Sequence, residues 1–132
     1  MNRCFELAER GRGATRSNPL VGALLVYNDK IVAEGFHAFY GGSHAEVNCI
    51  NSLTNKELLG ESTLYVSLEP CNFPGKTPAC TDYILNHGLK KVVIGCADYN
   101  PRVRNQGIEH LRSQKIEVMN LDWQEKQKSL NI

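Results

Sequence analysis

The chain has 132 residues, 42% of them apolar and 22% charged, with a formal net charge of +1. That is enough for one core and too little for two ordinary domains, and a charge this near zero gives no general field for nucleic acid or an anionic membrane. No apolar run approaches the roughly 20 residues a spanning helix needs. The opening Met1-Asn2-Arg3-Cys4-Phe5-Glu6 has no apolar signal-peptide core, so a cytoplasmic protein with no membrane partner is expected.

Residues 2 to 10 place Phe5, Leu7 and Ala8 at roughly helical spacing, and Gly11-Arg12-Gly13 ends the run. Arg10, Arg12 and Arg16 read either as a solvated rim or as an anion contact. Asn18-Pro19 marks a turn, because the residue before proline avoids the helical region. Val21 to Tyr27 is too apolar and β-branched for a loop, Asn28-Asp29 makes a tight turn, and Lys30 to Gly35 returns as a second strand nearer an edge.

A loop with Gly41 and Gly42 leads to His44, where Ala45, Val47, Cys49, Ile50 and Leu53 suit a buried helix with Ser43 as its N-cap. Residues 44 and 46 would point about 200° apart inside a helix; at its first turn both reach one site. Asn55 to Ser62 is a polar connection. Thr63 to Leu68 is a strand running into Glu69-Pro70-Cys71, and a loop with Pro74, Gly75 and Pro78 separates Cys71 from Cys80. Cys80 opens a helix that stops at His87-Gly88. Lys91 to Cys96 is a strand, Gly107 to Ser113 a helix, and Ile116 to Met119 a strand. That order predicts a βαβ unit with the last two strands parallel and a right-handed crossover. Residues 121–132 read as a C-terminal tail or the start of a linker, with a helix near Trp123.

Five cysteines cannot all pair within one chain. Cys4, Cys49 and Cys96 sit among apolar neighbours and read as reduced core residues, which fits a reducing compartment. Cys71 and Cys80 differ, because their order along the chain joins them to His44 and Glu46. His-x-Glu, then Pro-Cys, then a second cysteine is the pattern of zinc deaminases. Three protein ligands leave one metal position open, as a catalytic zinc requires and a structural zinc does not. His44, Cys71 and Cys80 are the expected ligands of a Zn2+ cofactor, and Glu46 the catalytic proton carrier. Glu69 reads as a carboxylate holding backbone or a ligand. The chain is thus a hydrolase that removes an amino group from a nitrogen heterocycle.

The sequence resembles the deaminase domain of diaminohydroxyphosphoribosylaminopyrimidine deaminases, cytidine deaminase-like proteins of riboflavin biosynthesis. The similarity runs from residue 4 to about 119. It rests on Asn18-Pro19-Leu20-Val21-Gly22-Ala23, Gly35-Phe36-His37, His44-Ala45-Glu46-Val47, Leu68-Glu69-Pro70-Cys71, Gly75-Lys76-Thr77-Pro78-Ala79-Cys80 and Asp98-Tyr99-Asn100-Pro101. The resemblance implies that Asn18 and His37 line the base pocket, and that Lys76, Thr77, Asp98 and Asn100 hold ribose or phosphate. A cation and a hydroxyl on a loop over the metal suit such a phosphorylated pyrimidine substrate. Phe73 stands where the family commonly has a histidine, and Asn105 where it commonly has a glycine.

The fold expected is a three-layer α/β/α sandwich with a mixed five-stranded sheet. Residues 1–120 form the deaminase domain. By resemblance a homo-oligomer is expected; the family's bifunctional members continue into a reductase domain, so either a separate reductase is a partner or this is an isolated domain. Deamination of another base or nucleotide (guanine, cytosine or adenosine type) and a non-catalytic zinc-binding scaffold are the alternatives. Nucleic acid is not an expected partner, since no basic stripe interleaves with aromatics.

Overall fold

The computed structural model describes residues 1–15, 19–39, 42–72 and 79–130. Helix α1 (Asn2–Glu9) buries Cys4, Phe5, Leu7 and Ala8, one apolar stripe at helical spacing. Strands β1 (Gly22–Tyr27) and β2 (Lys30–Phe36) form the expected hairpin. Asn28 and Asp29 both have positive φ, 50° and 62°. That is the turn whose twist matches paired strands, and asparagine and aspartate tolerate it best after glycine.

Helix α2 (Ala45–Ser52) follows, then a 3-10 turn over Lys56–Glu61 and β3 (Thr63–Val66). Helix α3 (Cys80–Asn86), β4 (Lys91–Ile94), α4 (Gln106–Ser113), β5 (Glu117–Asn120) and α5 (Gln124–Leu130) complete the chain. The sheet order is β2-β1-β3-β4-β5. The pairs β2–β1 and β1–β3 are antiparallel, while β3–β4 and β4–β5 are parallel. This is the expected mixed five-stranded sheet, with β2 at its edge and the last two strands parallel.

Alternation along the strands assigns the two faces. Ala23, Leu25, Leu64, Val66, Val92, Ile94 and Val118 point to one side and pack with Cys49 and Ile50 of α2, Ile84 of α3 and Ile108 and Leu111 of α4. Each large side chain buried there contributes about 1.5–3 kcal/mol. The other face carries α1, against which the C-terminal segment closes. Phe5, Ala8, Leu20 and Leu130 form a second cluster joined by Trp123, and the Phe5 and Trp123 rings stack at 6.0 Å. The 121–132 segment thus holds a packed helix, α5, with fully buried Gln127 donating its amide to the Leu20 carbonyl. No helix among the described residues is long and apolar enough to cross a membrane.

Two glycines let the layers close. A Cβ at Gly22 would lie 1.9 Å from the Cys4 carbonyl of α1, and one at Gly35 would lie 2.4 Å from the Cys49 amide of α2. In the register Gly35 faces Ala23, one residue beyond Gly22, so the two serve opposite faces. At each position the backbone of a helix rests on the sheet, leaving no room for a methyl group. Gly35→Ala is expected to destabilise the fold by about 1–3 kcal/mol, the range for forced overpacking, or more. Gly60→Ala, with nothing within 4 Å of its Cβ, should change stability by under about 0.5 kcal/mol. Urea unfolding midpoints of the two variants check this.

Candidate metal centre and active site

His44 is the N-cap of α2, with extended backbone (φ −71°, ψ 164°). The cap is therefore His44 and not Ser43, and no side chain caps this end by a hydrogen bond. Because His44 stands just outside the helix, the angle that separates positions 44 and 46 within one does not apply. Its exposed imidazole turns towards the cysteines, while Glu46, in the first turn, is only 4% exposed.

Cys71 follows β3, whose path continues beyond the regular strand. The Gly95 amide reaches the Val66 carbonyl, and the Glu69 amide the Cys96 carbonyl. A Cβ at Gly95 would lie 2.4 Å from the Ser67 carbonyl, so glycine permits this close parallel run. Cys80 is the first residue of α3 and donates its backbone N–H to the Cys71 sulfur at 3.2 Å. The Thr81 hydroxyl donates to Asn72 Oδ1 at 2.8 Å, and the Thr81 amide to the Cys71 carbonyl. These bonds pin both ends of the loop between the cysteines.

The donor atoms of His44, Cys71 and Cys80 all lie within 4.8 Å of one another. His44 Nδ1 is 3.1 Å from Cys80 Sγ and 3.7 Å from Cys71 Sγ. With the usual Zn–S and Zn–N lengths, tetrahedral ligation places neighbouring donors about 3.5–3.8 Å apart. The observed spacings bracket that edge, and one nitrogen with two sulfurs is a soft set that suits zinc over magnesium or calcium. The residues fit a zinc ion, with one coordination position left to a non-protein ligand.

The electrostatics agree. Cys71 is held down to about 4, first by the hydrogen bond from the Cys80 thiol and then by His44. The same shared proton, with burial, pushes Cys80 up. The Cys71 sulfur in turn raises His44. A zinc ion held here would take the place of the proton between the sulfurs, with both cysteines as thiolate ligands. Burial pushes the Glu46 carboxyl up to about 7. A carboxyl poised there takes and returns a proton near neutrality.

A cavity of about 280 Å3 opens beside this centre, walled by Pro19, Val21, His37, His44, Glu46, Leu68, Glu69, Cys71 and Asp98. His37 is buried at its wall, with Nδ1 3.1 Å from the Ser43 carbonyl. That nitrogen must carry the proton, since a carbonyl only accepts. The His37 and His44 rings meet edge-on at 5.5 Å. Asp98 lines the cavity, whereas Asn100 is exposed and its side chain accepts the Arg102 amide. Arg104 donates to the Asp98 and Tyr99 carbonyls. Asn18, Phe73, Lys76 and Thr77 lie outside the described residues.

The structure therefore brings His37, His44, Glu46, Cys71, Cys80 and Asp98 together, and leaves Asn100 outside the cavity. Sequence reasoning missed Asn48, whose side-chain amide donates to the carbonyls of Phe36 (2.9 Å) and Ser43 (3.2 Å). It ties together the two ends of the loop that carries His37. Its signal is an asparagine, a weak helix former, between two apolar positions of α2.

A mixed sheet between helices, with a histidine and a cysteine at helix starts, a second cysteine after a strand and a buried glutamate beside them, defines a zinc-type deaminase centre. Residues 1–96 match the family described as the cytidine and deoxycytidylate deaminase zinc-binding region, and the chain belongs to that family. It is 45% identical over 118 residues to the diaminohydroxyphosphoribosylamino-pyrimidine deaminase of Buchnera aphidicola, over 89% of this chain and 79% of that protein. To the riboflavin biosynthesis protein RibD of Actinobacillus pleuropneumoniae it is 48% identical, over 90% of this chain and 31% of that protein. The crystal structure of the deaminase/reductase from Thermotoga maritima matches with a TM-score of 0.89 at 48% identity, over 98% of this chain and 37% of that one. The chain thus spans about a third of the length of the RibD relatives it matches.

Replacing Cys71 or Cys80 by serine is expected to lower bound zinc from about one equivalent to a small fraction, because two protein ligands no longer make a tight site. Metal analysis after dialysis against a weak chelator checks this. Asn48→Ala should retain zinc.

Proposed function

We propose that this chain hydrolytically deaminates diaminohydroxyphosphoribosylaminopyrimidine to the corresponding aminouracil, the deaminase step of riboflavin biosynthesis. The observation that carries the reading is Glu46. It is a buried carboxylate outside the ligand trio yet on the same cavity wall, which a metal scaffold would not require. The names borne by relatives at 45–48% identity support the choice of substrate.

His44, Cys71 and Cys80 would hold the zinc ion. When bound, zinc supplies a Lewis acid that makes water nucleophilic at neutral pH. Glu46 takes the proton of the attacking water and passes it to the ring nitrogen beside the amino-bearing carbon. It then takes the remaining proton of the added hydroxyl and passes it to the departing amine. A C–O bond forms, the C–N bond breaks and ammonia leaves. His37, its Nδ1 proton fixed on Ser43, presents the ring's other edge to the cavity wall that receives the base. Asp98 faces the ribose, Asn18 joins His37 at the base, and Lys76, Thr77 and, beyond the cavity's rim, Asn100 complete the ribose and phosphate contacts. Residues 1–120 carry this activity. The reductase that acts on the product is the partner protein or domain, the enzyme assembles as a homo-oligomer, and it works in the cytoplasm.

The test is ammonia release by the zinc-loaded protein from the phosphoribosyl pyrimidine, beside guanine, cytosine and cytidine. Turnover of the phosphorylated compound alone is expected. Glu46→Gln should keep its zinc and lose about 10²–10⁴-fold in kcat. Turnover of an unphosphorylated base instead would overturn the substrate assignment.

A further inference from the structure

Glu69 is 6% exposed and is neither a metal donor nor the proton carrier. Its two oxygens accept three backbone amides: Oε1 those of Asp98 (2.9 Å) and Asn105 (3.0 Å), and Oε2 that of Ile108 (3.1 Å). Carboxylates are retained in protein interiors when donors surround them in this way. Both oxygens of this carboxylate thus act as acceptors for backbone N–H donors.

The three amides are not arbitrary. Asp98 and Asn105 bracket one loop, and Ile108 lies in the first turn of α4. Asn105, the N-cap of α4, has φ 68° and makes no side-chain capping bond. Glu69 therefore caps that helix from a different segment of the chain. The two surfaces are pressed together, since a Cβ at Gly107 would lie 2.2 Å from the Pro70 carbonyl.

Within the loop, Asp98 Oδ1 accepts the Asn100 amide, and the Arg104 guanidinium grips the carbonyls of Asp98 and Tyr99. The loop is braced internally and attached at both ends to one carboxylate. Asp98 and Glu69 both face the cavity, and Cys71 stands two residues beyond Glu69. We propose that Glu69 is a positioning residue for substrate binding. By clamping the 98–105 loop it sets the distance between the Asp98 wall of the cavity and the metal donors. This rests on the functional reading above for the identity of what that wall holds, the ribose side of the substrate.

The test compares the zinc-loaded wild type with Glu69→Gln, which keeps the size of the side chain but sets an NH2 against one of the three amides. Three quantities are read: bound zinc, amide hydrogen exchange by NMR, and steady-state ammonia release. Zinc should be unchanged, and exchange at the amide left facing the NH2 should rise by about tenfold, the loss expected for a buried donor without its acceptor. Amides of α2 should not change. KM should rise roughly tenfold with kcat within about threefold, the signature of lost binding rather than lost chemistry. Unchanged protection at all three amides overturns the clamp, and a fall in kcat at constant KM overturns the positioning role. If Glu69→Gln does not fold, Glu69→Asp, with both oxygens kept but drawn back by one methylene, is read in the same way. Failure of both to fold assigns Glu69 to structure alone. If the wild type releases no ammonia from the phosphoribosyl pyrimidine, the functional reading fails, and the positioning role for that substrate fails with it. The exchange data then still decide whether the clamp exists.

Discussion

The contact between the backbone of α2 and β2 at Gly35 is the constraint on which the site depends. A helix separated from its sheet by side chains would hold its first turn farther out, with Glu46 in water and at its ordinary acidity. With no side chain at Gly35, the Cys49 amide and the Ala45 carbonyl lie within methyl distance of the strand. The first turn of α2 then sinks to the level of the cavity floor, and Glu46 loses its solvent. Desolvation is then the main cause of the rise in its pKa, with the nearby Cys71 sulfur adding to it. His44, one residue outside the helix, remains open to the solvent side, where an incoming ligand must pass.

The direction of the strands gathers everything else at one end of the sheet. Parallel strands deliver their C-terminal ends to a common edge, where ligands of open α/β sheets bind. Here β3 delivers Glu69 and Cys71, and β4 delivers Asp98. The antiparallel β1 contributes its beginning at that edge, Pro19 and Val21, and the hairpin returns β2 there to deliver His37. The Glu69 carboxylate then joins the outflow of β3 to that of β4 through backbone amides. Four segments of the chain thus share one rim.

Much of this was legible in the sequence because it rests on local rules. The hairpin followed from the apolar, β-branched run before the Asn28-Asp29 turn, and the parallel pair from strand, helix and strand at short spacing. His44, Glu46, Cys71 and Cys80 were legible because their order and residue types admit few other uses. Glu69 was legible in kind, a carboxylate holding backbone, but its three partners were not, since nothing local links residue 69 to residue 108. Ser43 was misjudged as the cap because serine is the usual choice. Here the histidine takes that place and its ring is directed to the sulfurs. Asn48 was hidden because its role depends on where residues 36 and 43 meet, a property of the folded loop. Asn105 showed the reverse, because tolerance of positive φ is intrinsic to the residue and the backbone uses it.

The second apolar cluster unites the two ends of the chain. Phe5 and Ala8 come from the first helix, Leu20 from the segment before β1, and Leu130 from the last helix. Leu20 also receives the Gln127 amide, and the Leu130 carbonyl receives Arg12. Proteins are made from the N-terminus, so during synthesis the α2–α4 face has all its members before this one does. Its last component, Leu130 of α5, is made after every member of that face. Leu20 stands next to Pro19 of the cavity wall, so the metal donors are synthesised before the last residues that pack behind that wall.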